Sequence, residues 1–238
     1  MAGARSSVYK ELKEAAFLAN MEIPKLKLAI FTFGNVSAYD PKLGALAIKP
    51  SGVPYSELKV EDMVVLDLEG AVIEGKLRPS SDTKTHVVLY RTFKNIRGVC
   101  HTHSPNAVAW CQAGRSIPVY GTTHADHTHL PIPLAPIMSK QAVKGDYEHE
   151  TGLQIVRCFE HIDPDECPMV LVEGHGPFAW GTSAEKALYH AAVLEEVAGM
   201  AANTELLNPK AKPLPDYLIR KHYERKHGSG AYYGQEGY

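Results

Sequence analysis

The run GVCHTHSPNAVAW carries two histidines, His101 and His103, at the end of an apolar stretch and directly before a helix start. On a β-strand, side chains two apart share a face, so these two imidazoles are placed to hold one guest, and a divalent cation suits them. A third histidine, His175, follows the apolar MVLVE in the glycine-rich GHGPFAWG. Asp82 opens a helix in PSSDT, and His124 and Asp126 follow a strand in GTTHAD. Each stretch puts a metal-capable or ionisable group at the end of an element, where sites are commonly built. His101, His103 and His175 together would form a catalytic-type zinc site, with the remaining position open to a carboxylate, water or substrate. The chain has 12 histidines, so three separate surface histidines are the competing reading.

A second group of residues suits an anion. GNVS, KPSGV and PSSDT are short glycine- or serine-bearing turns, each next to an apolar strand or hairpin. Exposed backbone N–H groups, serine hydroxyls and a helix N-terminus together make an anion nest that fits a phosphate. Ordinary turn chemistry accounts equally for each turn taken alone.

The elements that must position these groups follow from periodicity and punctuation. Residues 7–21 read as a helix, with Val8, Leu12, Ala15, Ala16 and Ala19 at helical spacing. KLAIFTF reads as a strand ending at Gly34, and GALAIK as a second strand closed by PSG. MVVLDL and AVIEG flank Glu69-Gly70 as a hairpin. SSDTKTHVVLYRTFKN reads as a helix and GVCHTH as a strand. Ser104, Pro105 and Gly114 are the cap, first position and end of the next helix. SIPVYG is a short strand, LPIPLAP a loop, residues 147–161 a helix, and MVLVE a strand. TSAE is a capping box that opens a long helix to about Leu207, and a last helix runs to about His227. Strands and helices alternate but hairpins intervene, so the chain reads as one α/β domain with a mixed, largely antiparallel central sheet and helices outside.

Bulk composition narrows the partners. The chain has 238 residues and a formal net charge of -2 from 25 basic and 27 acidic residues. Charges are mixed along it, with no basic patch for nucleic acid and no apolar stretch near the roughly 18 residues of a membrane span. The N-terminus has no apolar core and no cleavage signature. Four cysteines without a C-x-x-C pair read as reduced thiols of a cytoplasmic protein.

Taken in order, GNVSA, IKPSGV, DMVV, PSSDTKTH, HTHS, GTTHAD, HGPFAWG, LEEVA and KHGSGAYYGQ span nearly the whole chain. In these stretches the sequence resembles the L-ribulose-5-phosphate 4-epimerases of the class II (zinc) aldolase and epimerase superfamily. The resemblance implies a three-layer αβα domain over residues 1–238 whose C-terminal tail, about residues 228–238, completes the active site. It implies Zn²⁺, with Mn²⁺ or another divalent metal as the alternative, one per subunit, on His101, His103 and His175 with Asp82 as fourth ligand or close neighbour. It implies a phosphate site from Gly34, Asn35, Ser51, Gly52, Ser80 and Ser81, acid/base roles for Asp126 and Tyr233, and supporting roles for Thr122, Glu148 and His222. A sugar-phosphate substrate of pentose catabolism and a C4 homotetramer with sites at subunit interfaces are implied as well. Aldolases of the superfamily typically carry glutamate in place of Asp82 and lack the GTTHAD and AYYGQ pairing. A class II sugar-phosphate aldolase is therefore the alternative. The chain departs from the pattern in HTHLPIPLAP, in EGHGPF and in three residues beyond YYGQ, and His127 and His129 read as loop residues.

The implied chemistry explains why two acid/base groups are needed. Carbon 4 of a ketopentose phosphate bears no acidic proton. Cleaving the C3–C4 bond, turning the aldehyde and re-forming the bond inverts it, and the C4 oxygen then lies on opposite sides in the two epimers. A tyrosine near its ordinary pKa of roughly 10 is a poor base, so Tyr233 needs a nearby cation, the metal or His222.

Overall fold

Eight strands form the one sheet that carries the site. In chain order they are β1 Asn35–Asp40, β2 Ala45–Ile48, β3 Val64–Asp67, β4 Val72–Glu74, β5 Gly98–His101, β6 Leu134–Ala135, β7 Met169–Val172 and β8 Gly176–Gly181. The computed structural model describes residues 7–228 and 230–232, and Tyr233 lies outside the described residues. Across the sheet the order is β4-β3-β2-β1-β5-β8-β7-β6. Every neighbouring pair is antiparallel except β6 with β7. The expected mixed, largely antiparallel sheet is therefore present.

Helices cover both faces. The long α7 (Ala184–Leu207) packs on β1, β5 and β8, flanked by α1 (Lys10–Lys25) and α3 (Pro105–Gln112). On the other face α2 (Thr83–Thr92) pairs with α6 (Tyr147–Cys158), which also meets β6 and β7. Ser37 of β1 reaches that second face, where its hydroxyl lies 2.7 Å from both His86 Nδ1 and Tyr90 Oη of α2. The remaining helices are short or peripheral: α4 Thr122–Ala125, α5 Lys140–Lys144 and α8 Asp216–His227. No helix among the described residues is long and apolar enough to cross a membrane.

Several sequence expectations shift. KLAIFTF is not a strand: α1 continues through Pro24 to Lys25, and the segment then turns through Lys27 and Phe31, both at positive φ. The strand begins instead at Asn35, inside a stretch that reads as a turn, because Ser37 is a polar residue with buried polar partners and breaks the apolar run that would announce a strand. GHGPFAWG is a turn only at its start, and Gly176–Gly181 is a fully buried central strand. SIPVYG contributes a single bridge, Ile117 to Ile132, rather than a strand, and LPIPLAP contains β6. Ser183, not Thr182, caps α7, accepting from the Lys186 N–H at 3.0 Å, so Glu185 falls one place early and no box closes.

Register sets up the site. Asn35 of β1 stands opposite His101 of β5, and His101 opposite Phe178 of β8, so three adjacent strands meet at one end of the sheet. Backbone closeness there demands glycine. A Cβ on Gly176 would lie 2.9 Å from the Thr102 carbonyl oxygen, and one on Gly34, at φ +73, would lie 3.0 Å from that of His101.

Candidate active site

His101 ends β5, buried to 1% exposure, with its ring stacked on Phe178 at 4.2 Å between centroids. Its Nδ1–H donates to the Pro177 carbonyl at 2.9 Å. A carbonyl can only accept, so Nδ1 bears the proton of that bond, and Nε2 points the other way, 3.1 Å from His103 Nε2. His103 stands two residues on, beyond the strand, and His175 sits in the β7–β8 turn. One ligand atom from each of the three lies within 4.8 Å of the others. Burial, reinforced by the neighbouring His101, lowers the proton affinity of His103 and takes His175 down to about 4. His175 Nδ1 is buried without a hydrogen-bond partner. Such neutral imidazoles, one holding an unsatisfied nitrogen, are a donor set for a borderline divalent metal.

Asp82 faces the same cluster. It occupies the N-cap position of α2, but its side chain makes no cap hydrogen bond. Its Oδ2 instead accepts from Asn35 Nδ2 at 2.7 Å and from the Ser80 hydroxyl at 3.4 Å. Burial alone would raise its proton affinity; His101, His86, the Asn35 amide and His175 together outweigh that and keep it an anion below the ordinary range. The residues present therefore fit a divalent cation: three imidazole nitrogens with a carboxylate beside them.

The proposed phosphate turns line the same pocket, of about 360 Å³, which also takes in Asp82, Glu148 and the three histidines. Two backbone bonds stitch the turns together: Ser51 N–H donates to the Arg78 carbonyl at 2.9 Å, and Ser80 N–H to that of Lys49 at 3.0 Å. Asn35 bridges both groups, because its Nδ2 also reaches Ser80 Oγ at 3.1 Å. Lys49 lines the pocket too and is 2% exposed. Among the described residues its ammonium meets the carbonyls of Thr32 and Pro50 and the Tyr55 ring, with no carboxylate in ion-pair range, and burial lowers its pKa to about 8. A buried cation without such a counter-ion, beside a serine- and glycine-lined turn, suits an anion.

Residues 14–202 match the class II aldolase and adducin N-terminal domain. The chain belongs to this family. It is 49% identical, over 95% of its own length and all of theirs, to L-ribulose-5-phosphate 4-epimerases UlaF of Salmonella paratyphi B (strain ATCC BAA-1250 / SPB7) and Salmonella typhi. A solved L-fuculose 1-phosphate aldolase shares the fold at TM-score 0.76 and 21% identity, covering 94% of this chain and 99% of that one.

In this class II aldolase family member, the other sequence-assigned residues lie elsewhere. Asp126, Thr122 and His222 do not line the metal pocket. Asp126 caps the end of α4 and binds α8: Oδ1 accepts from His222 Nδ1 at 2.9 Å and Arg225 Nε at 3.1 Å, and Oδ2 from Arg225 Nη2 at 2.7 Å, with Lys226 Nζ at 3.5 Å. Burial would raise its pKa, but Arg225, His222 and Lys226 together hold it below the usual carboxylate range. His127 and His129 make local contacts, to Tyr189 and to Tyr223 and Glu166. Sequence reasoning overlooked Lys49, Tyr147 and Arg225. The signal for Lys49 was available, since it interrupts the apolar ALAI strand directly before PSG. Tyr147, which lines the pocket 6.2 Å from the His175 ring, stood in plain view as the first residue of a helix. Arg225 gave no signal, because only the docking of α8 on α4 joins it to Asp126.

Proposed function

We propose that this chain is a metal-dependent epimerase that interconverts L-ribulose 5-phosphate and D-xylulose 5-phosphate by cleaving and re-forming the C3–C4 bond. The reading rests chiefly on one observation: three imidazoles, a carboxylate held below its usual range and serine- and glycine-bearing turns with a buried lysine that has no carboxylate partner among the described residues share one pocket. The names of the curated relatives, at 49% identity, favour the epimerase over an aldolase. Zn²⁺ or Mn²⁺ on His101, His103 and His175 beside Asp82 would supply Lewis-acid stabilisation of the enediolate charge.

The remaining work belongs to the protein. Ser51, Gly52, Ser80, Ser81, Gly34 and Lys49 hold the phosphate, so the larger fragment stays still while the smaller one turns. Asn35 fixes Asp82 and Ser80 relative to each other. Asp126, paired with His222, and Tyr233 carry the C4 hydroxyl proton in the two directions, with Thr122 and Glu148 in support. Asp126 lies off the pocket of its own chain, which suits a C4 homotetramer in which a neighbour completes each site. Four free cysteines suit a reducing, cytoplasmic compartment.

The test is product identity with purified protein and L-ribulose 5-phosphate. We expect D-xylulose 5-phosphate, loss of turnover on chelation, and recovery with Zn²⁺ or Mn²⁺. Release of dihydroxyacetone phosphate and glycolaldehyde as the sole products would replace the epimerase with an aldolase, and full turnover by metal-free protein would remove the metal.

A further inference from the structure

The catalytic pocket sits at one end of the β5–β8 ladder, where His101 pairs with Phe178. A second cavity, of about 520 Å³, opens beyond the other end, where Gly98 pairs with Gly181. Three strand residues, about 10 Å of chain, separate the two. Arg97, Lys186, His127, His190 and His227 line this second cavity, against one carboxylate, Asp165, whose Oδ2 is engaged by Asn95 Nδ2 at 2.5 Å.

Its two permanent cations stand without carboxylates. Arg97 spends Nη1 on the Lys94 and Ile96 carbonyls, at 2.8 and 2.6 Å, and its guanidinium lies 6.0 Å from the Tyr39 ring centroid, with no carboxylate in ion-pair range among the described residues. Lys186 Nζ lies 4.2 Å over the Tyr189 ring, with no carboxylate in ion-pair range among the described residues. Elsewhere Lys13, Lys84, Arg91 and Arg115 each sit against a carboxylate. His190 gives Nδ1–H to the Trp180 carbonyl at 2.7 Å, and His227 gives Nε2–H to the Asp126 carbonyl at 3.0 Å, so these rings spend a donor each on the protein. Trp180, Pro164 and Pro168 form an apolar wall beside them. A guanidinium fork and an ammonium facing one space recognise phosphate oxygens, and the apolar wall takes a small organic portion.

We propose that this cavity is a second anion site, for a small phosphorylated metabolite, separate from the catalytic pocket. None of its residues lines the metal pocket, although His227 bonds the Asp126 carbonyl and so adjoins the α4–α8 cluster.

Trp180 is the natural reporter: it lines the cavity, and the chain has only one other tryptophan, Trp110, which does not. Full-length Trp110→Phe protein is titrated with inorganic phosphate at constant ionic strength. We expect a saturable change in Trp180 emission, weakened tenfold or more by Arg97→Gln with Lys186→Gln, and unaltered by Ser51→Ala with Ser80→Ala in the catalytic pocket. Should Trp110→Phe fail to fold, the wild-type protein serves, read through the Trp180 indole N–H resonance, a proton that donates to the Pro164 carbonyl at 2.8 Å. A response that does not saturate, that survives loss of Arg97 and Lys186, or that disappears with Ser51 and Ser80 would overturn the proposal.

Discussion

Lys49 carries a charge that its surroundings do not neutralise. Burial has lowered its pKa to about 8, so below that pH it is a cation poised for phosphate and above it a neutral amine. The sign follows directly: kcat/KM for a phosphorylated substrate, which reports the free enzyme, should fall as pH rises through about 8. Lys49→Met should remove that limb and lower kcat/KM at neutral pH by about 2 kcal/mol in transition-state binding, the scale of a charged hydrogen bond. A pH profile of Lys49→Met that keeps the limb would assign it to another group. Asp82 poses a second question at this scale, because its position is that of a helix cap while its hydrogen bonds are those of a site residue. Asp82→Asn should leave the denaturation midpoint within a few tenths of a kcal/mol, since no cap bond is lost, yet lower metal retained after dialysis. The opposite pattern, lower stability with unchanged metal content, would return Asp82 to the role of a cap.

Among the elements, α3 illustrates how a local signal can be right in place and wrong in mechanism. Ser104 and Pro105 announce its start, and the helix begins there. Ser104 caps nothing; its hydroxyl accepts from Thr102 Oγ1 at 3.2 Å. The cap comes from Glu195 of α7, whose two oxygens each accept a backbone N–H, of Asn106 and Ala107, both at 2.9 Å. Glu195→Ala should therefore cost about 1–2 kcal/mol in chemical denaturation, whereas Ser104→Ala should cost less. Equal losses would mean that the α7 carboxylate is not what holds this end. The same division explains what was legible. The long α7, the β3–β4 hairpin and the strands β2, β5 and β7 announced themselves through apolar periodicity and turn residues. The central strands β1 and β8 did not, since Ser37 is suited to partners on α2 and the flanking glycines to close approach of neighbouring elements, neither of which shows as periodicity along the chain. The candidate metal and phosphate residues could be singled out in the sequence because each sits at an element end in a short motif. Their common pocket was not readable from spacing alone, for it depends on the β1–β5–β8 register.

At the scale of the whole molecule, the proposed function divides one chain into two half-sites. The histidine pocket lies at the end of β5 and β8, while Asp126, His222 and Arg225 cluster where α4 meets α8 and contribute nothing to that pocket's lining. The exposed Phe31 and Phe33 stand beside the pocket, Phe33 with its ring 5.9 Å from that of His103, and offer apolar surface for a neighbour to cover. In the cyclic assembly proposed above each interface is heterologous, so one chain's pocket would meet the next chain's α4–α8 cluster. His175→Ala should be inactive through the pocket, and Asp126→Asn through the cluster. Co-assembled after unfolding, the two variants would place an intact pocket from the Asp126→Asn chain against an intact cluster from the His175→Ala chain at about a quarter of the interfaces if mixing is random. Activity should return to about that fraction of wild type. Thermal melting of each parent variant separates this from refolding losses, because Asp126→Asn removes part of the α8 anchor as well as the proposed proton carrier. Mixed oligomers verified by mass that stay inactive would place the cluster and the pocket of a working site in the same chain.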